Sequence, residues 1–151
     1  RCVMRPFSSI LVAFALLASC NTAPDAAVTD ASVRLPAVKG NPGAAYFTLH
    51  GGEKDRTLVK ITSPVVGNAE MHDMKTENGM AMMVPIEGGL PVPKGATISF
   101  QSGGKHVMLY DLKPDLKAGD TINLTFEFAD GSKETASAKA IAAGGEAEHS
   151  H

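Results

Sequence analysis

The segment Glu70 to Met83, EMHDMKTENGMAMM, gathers five of the chain's seven methionines around His72. A thioether is a soft, uncharged metal ligand and also a flexible filler of core gaps, so metal capture and packing both explain such a cluster. The surrounding residues weigh against packing alone. Glu70, Asp73, Lys75, Thr76, Glu77, Asn78 and Gly79 are too polar and turn-like for a wholly buried segment, which leaves several sulfurs near solvent. A second group, KHVMLY, sets His106 and Met108 two residues apart. On a strand that spacing projects an imidazole and a thioether from the same face, half of a ligand set.

The two cysteines, Cys2 and Cys20, both precede the folded part, so no thiolate from that part can bind metal and no disulfide supports it. Sulfur and imidazole without thiolate point to Cu(I): zinc takes thiolate, imidazole or carboxylate, and calcium or magnesium takes oxygen. A blue-copper electron carrier would need a Cys ligand. The serines sit in Gly-rich turns or polar strand positions with no nucleophile elbow or triad signature, so the expectation is a binding protein, not an enzyme.

These residues must be carried by strands. AAYFTLH (44–50), RTLVKITS (56–63), ATISFQ (96–101), KHVMLYD (105–111) and TINLTFEFAD (121–130) have strand composition, and Ile122, Leu124, Phe126 and Phe128 alternate with polar neighbours. NPG, HGGEKD, EGG, PKG, SGGK, KAGD and ADGS fall between these runs and carry turn chemistry. Short strands at this spacing predict an all-β antiparallel sandwich or barrel, with the metal between a hairpin loop and a strand. The net charge of -2 and the scattered lysines supply no groove for a phosphate backbone, which argues against nucleic acid. With no long apolar stripe left over, a monomer is expected.

The first residues have an export layout: Arg5, an apolar run from Ile10 to Leu17 shorter than the ~20 residues of a spanning helix, then small residues. Leu17-Ala18-Ser19-Cys20 resembles the bacterial lipobox, which would make Cys20 a lipid attachment point; the alternative is an ordinary cut near Ala18. The expected organisation is a signal peptide over 1–19, with translation starting either at the chain's beginning or at Met4, then lipidated Cys20 and a flexible tether to residue 31. A metal-binding sandwich over 32–141 and a disordered tail over 142–151 follow, the tail's His149 and His151 offering a weak hook for Cu(II).

AEMHDMKTENGMAMM, followed by GGLPVPKGATISFQSGGKHVMLYDLKPDLKAGDTINLTFEFADG, resembles the PCuAC family of periplasmic copper chaperones over roughly residues 35 to 140. By position the resemblance implies His72, Met83, His106 and Met108 as the ligands of one Cu(I), with ten residues between His72 and Met83. It also implies a cupredoxin-like or immunoglobulin-like sandwich in the periplasm. The implied recipient is the dinuclear copper centre of a cytochrome c oxidase subunit, with Sco-type proteins as co-workers. Met71, Met74, Met80 and Met82 are extra sulfurs, read as loop packing. Glu70 and Asp73, which flank His72, are read as surface carboxylates, the alternative being that one of them holds the second ring nitrogen of His72, and His50 is read as a strand-end residue. Two rivals remain: an envelope sandwich lipoprotein with a structural or interaction role, and copper storage or resistance.

Overall fold

A computed structural model describes residues 26–145 and contains ten strands: β1 (Ala27–Arg34), β2 (Gly43–His50), β3 (Arg56–Thr62), β4 (Asn68–Glu77), β5 (Met80–Pro85), β6 (Leu90–Val92), β7 (Thr97–Phe100), β8 (His106–Tyr110), β9 (Thr121–Phe128) and β10 (Lys133–Ile141). No helix forms among the described residues. Hydrogen bonding runs in the order β5-β4-β8-β2-β1-β10-β9-β3-β6, with β7 paired to β2. Every pairing is antiparallel except β1 with β10.

The path folds over on itself, which makes it a sandwich. Phe47 on β2 meets Phe126 on β9 edge-on with ring centroids 4.8 Å apart, although β1 and β10 separate their strands along the sheet. Between the layers lie Leu49, Val107 and Leu109 from one half and Leu58, Ile122 and Leu124 from the other, all fully buried. Alternation explains this division: along β2 and along β8 every second residue is buried, so the residues between project from the outer face. His106 and Met108 are among those outer residues.

The five expected strands appear as β2, β3, β7, β8 and β9. Residues 27–31, assigned above to a tether, are instead the first part of β1. Their small polar composition conceals a strand because an irregularity between Thr29 and Ser32, with Asp30 at φ 52, breaks the alternation. The strand β10 carries little apolar signal in the sequence because its buried residues are only Ala138 and Ala140. The expected hairpin loop around Met80 is a regular hairpin, β4 to β5, closed by Asn78 and Gly79 at φ 52 and 77. That pair of left-handed conformers is the two-residue turn that Asn-Gly favours. Cys2, Cys20, His149 and His151 lie outside the described residues.

Candidate metal centre

In β4 the neighbours of His72 are fixed by register: Pro85 of β5 on one side and His106 of β8 on the other. Residues directly opposite in an antiparallel pair share a face. One surface therefore carries Glu70, His72 and Met74 from β4, Met83 and Pro85 from β5, and His106 and Met108 from β8. Met83 stands opposite Met74, and Met108 opposite Glu70.

Three of the four expected ligands meet directly. The imidazoles of His72 and His106 have centroids 5.8 Å apart and planes tilted by 59°. The Met83 Sδ lies 3.1 Å from His106 Nε2. Met108 belongs to the same face one row further along β8, between Glu70 of β4 and Ala44 of β2. His50 takes no part; at the far end of β2 its Nε2 is hydrogen-bonded to Thr29 Oγ1 at 2.9 Å.

Hydrogen-bond partners set the tautomers. The Gly104 carbonyl can only accept, so His106 Nδ1, 2.9 Å away, donates to it and the Nε2 facing Met83 keeps its lone pair. The His72 Nε2 lies 3.3 Å from Glu70 Oε2 and donates to that carboxylate, whereas Nδ1 is buried with no hydrogen-bond partner among the described residues. Each ring thus has one nitrogen tied down and one electron pair free, the outer-shell arrangement that orients ligating histidines. Among the described residues no three His, Cys, Asp or Glu side chains group as a metal site.

Exposure differs sharply across the group. His72 is 6% exposed and Met83 48%. The strand β5 ends the hydrogen-bonded path, so Met83 stands on an edge open to solvent. Of the extra sulfurs, Met71 points inward and joins the core, Met74 is half-buried on the His72 face, and Met80 and Met82 are exposed on the hairpin's opposite face. Only Met71 therefore packs in the core. Asp73, also on that opposite face, forms an ion pair with Lys105 at 3.1 Å. Burial pushes its carboxyl upward, but the hydrogen bond and charge of Lys105, the Met74 amide and Lys75 outweigh burial and hold it below the usual carboxylate range.

Of the two carboxylates flanking His72, Glu70 is the one that holds its ring nitrogen, while the Gly104 carbonyl behind His106 was not expected from the sequence. Alternation from His72 would have placed Glu70 and Met74 beside it had the segment been recognised as a strand.

The family described as "Putative lipoprotein LpqE-like" matches residues 26–140. The chain belongs to this LpqE-like family. An "Uncharacterized protein RP573" from Rickettsia prowazekii (strain Madrid E) is 34% identical over 102 residues, covering 67% of this chain and 56% of its own length. The chain spans about half the length of the curated relatives it matches. Among solved structures, the "Copper-bound PCuAC domain from PmoF2" superposes with a TM-score of 0.65 at 16% identity, covering 80% of this chain and 95% of that one. The solution structure of Cu(I)-loaded DR1885 from Deinococcus radiodurans aligns at TM-score 0.58 and 29% identity, with 82% of each chain covered. The LpqE-like chain therefore has the cupredoxin-like sandwich of PCuAC domains, the fold and family that the sequence resembles.

Proposed function

We propose that this protein is a copper chaperone that binds one Cu(I) through His72, Met83, His106 and Met108 and passes it to a recipient. The carrying observation is the 3.1 Å approach of Met83 Sδ to an unprotonated His106 Nε2, with His72 directly opposite. Two electron-pair donors face each other with no proton between them, an arrangement that a soft cation relieves. The copper named in the titles of the PCuAC-fold neighbours agrees with this reading.

Release follows from charge and exposure. Four neutral ligands leave the positive charge of Cu(I) uncompensated, so a thiolate-bearing recipient gains by taking it. The exposed Met83 on the edge strand is the ligand that an incoming sulfur reaches first, while His72, held by Glu70, lets go last. The protein binds and transfers; no bond-making chemistry is required of it. The family description of a lipoprotein supports attachment through Cys20 in the periplasm, and the PCuAC resemblance points to the dinuclear copper centre of cytochrome c oxidase as recipient.

The test is a Cu(I) titration against a colorimetric chelator, comparing the chain with a Met83→Ala/Met108→Ala variant. One Cu(I) bound, and lost in the folded variant, is the expected outcome. Equal behaviour of the two proteins would return the thioethers to packing and leave the structural lipoprotein role. A loaded protein that never yields its copper to a thiolate-bearing oxidase subunit would favour storage.

A further inference from the structure

A cavity of about 570 Å³ opens where β2 changes partners. Over residues 43–45 β2 pairs with β8, and over residues 47–50 with β7. On its other side β1 bulges: Asp30 and Ala31 are skipped between Thr29 opposite Thr48 and Ser32 opposite Tyr46. A bulge re-aims side chains, and this one leaves Asp30, Ser32 and Arg34 lining the cavity with Tyr46, Gln101 and Ser102.

Two polar atoms here are buried without hydrogen-bond partners among the described residues: Ser32 Oγ, on a residue 6% exposed, and Arg34 Nε. Native structures rarely leave such groups unsatisfied, so each calls for a partner that the described residues do not supply. The Arg34 guanidinium lies over the Tyr46 ring at 5.2 Å. Stacking covers one of its faces and leaves its donor edge for a planar acceptor, which is the geometry of a carboxylate. Asp30 lines the same cavity, and among the described residues no ion pair joins it to Arg34. One positive and one negative group cancel in net charge, which disfavours a dianion such as phosphate and suits a molecule with both charges.

We propose that this cavity binds a small amino-acid-like zwitterion, its carboxylate on Arg34 and Ser32 and its ammonium toward Asp30, with Tyr46 against its apolar body. None of these residues is a proposed copper ligand, so the two sites are tested separately.

The experiment is an NMR titration of the metal-free full chain at fixed pH and ionic strength, following the Arg34 Nε–H and Tyr46 amide signals. The probes are L-leucine, acetate, ethylammonium and inorganic phosphate. L-leucine gives saturable shifts, with acetate and ethylammonium each about tenfold weaker. Arg34→Gln abolishes saturation, and Asp30→Asn brings L-leucine down to the level of acetate. Should Arg34→Gln fail to fold, Ser32→Ala reads the same site by weakening L-leucine about tenfold. The proposal is overturned by any of three results: no saturation with L-leucine, an unchanged affinity in the folded variants, or phosphate binding as tightly as L-leucine.

Discussion

Two hairpins of this protein share a turn chemistry and little else. The β9–β10 hairpin turns through Ala129-Asp130-Gly131-Ser132 and the β4–β5 hairpin through Asn78-Gly79. In β9 every second residue is buried, from Ile122 to Phe128, and its polar partners face water. In β5 Met80, Ala81, Met82 and Met83 are all exposed, and only Val84 is half-buried. The first hairpin is held by what it packs against. The second is held by backbone pairing to β4, and its side chains remain available. Sulfur on a solvent-facing edge does little for stability, which leaves it free for the copper binding proposed above.

The largest expected difference between the hairpins is in stability. Phe126→Ala empties the space against the Phe47 ring and costs about 3–5 kcal/mol in urea denaturation. Met82→Ala on β5 changes stability by no more than ~0.5 kcal/mol. Equal costs would erase the distinction. The next effect appears only in metal binding: Glu70→Gln weakens the hold on His72 and lowers Cu(I) affinity about 10-fold in chelator competition, with the urea midpoint unmoved. An unchanged affinity would make Glu70 a surface carboxylate, as its composition first suggested.

A smaller effect tests how β5 is held. At Gly79, with φ 77, an added Cβ meets nothing within 4 Å, so Gly79→Ala costs only the left-handed conformation, about 1 kcal/mol. It should loosen Met83 as well, seen as a modest fall in copper affinity. Loss of stability without any loss of affinity would separate the turn from the site.

The smallest effect belongs to the other turn. Asp130 accepts hydrogen bonds from the Ser132 hydroxyl and amide and lies 3.4 Å from Lys54, which lower its pKa from 3.8 to about 2. A depressed carboxylate adds stability that is present above pH 3.8 and lost as the pH falls through about 2. Asp130→Asn should therefore flatten the acid limb of a thermal-stability profile in that window and leave copper binding untouched. An identical acid limb would remove the turn from the account.

Much of this was readable from residues alone. The period-two runs of β2, β8 and β9 declare themselves because large apolar residues alternate with polar ones, and two-residue spacing is enough to put His106 and Met108 on one face. The strands β1 and β10 were concealed because alanine and a bulge weaken the apolar signal, and β4–β5 because its exposed sulfurs and charges read as loop. The Asn78-Gly79 dipeptide was the available clue to that hairpin.

The sequence by itself determined which candidate donors the chain carries and the class of fold, because both are written in residue chemistry and local period. It could not determine that His72 stands opposite His106, that Met83 Sδ reaches the His106 Nε2, or that Glu70 and Gly104 fix the two tautomers. Those depend on register between strands 34 residues apart in the chain. Register is decided by the burial of Met71, Val107 and Leu109 on the opposite face: a slip of one residue would turn that apolar set to water and the histidines into the core.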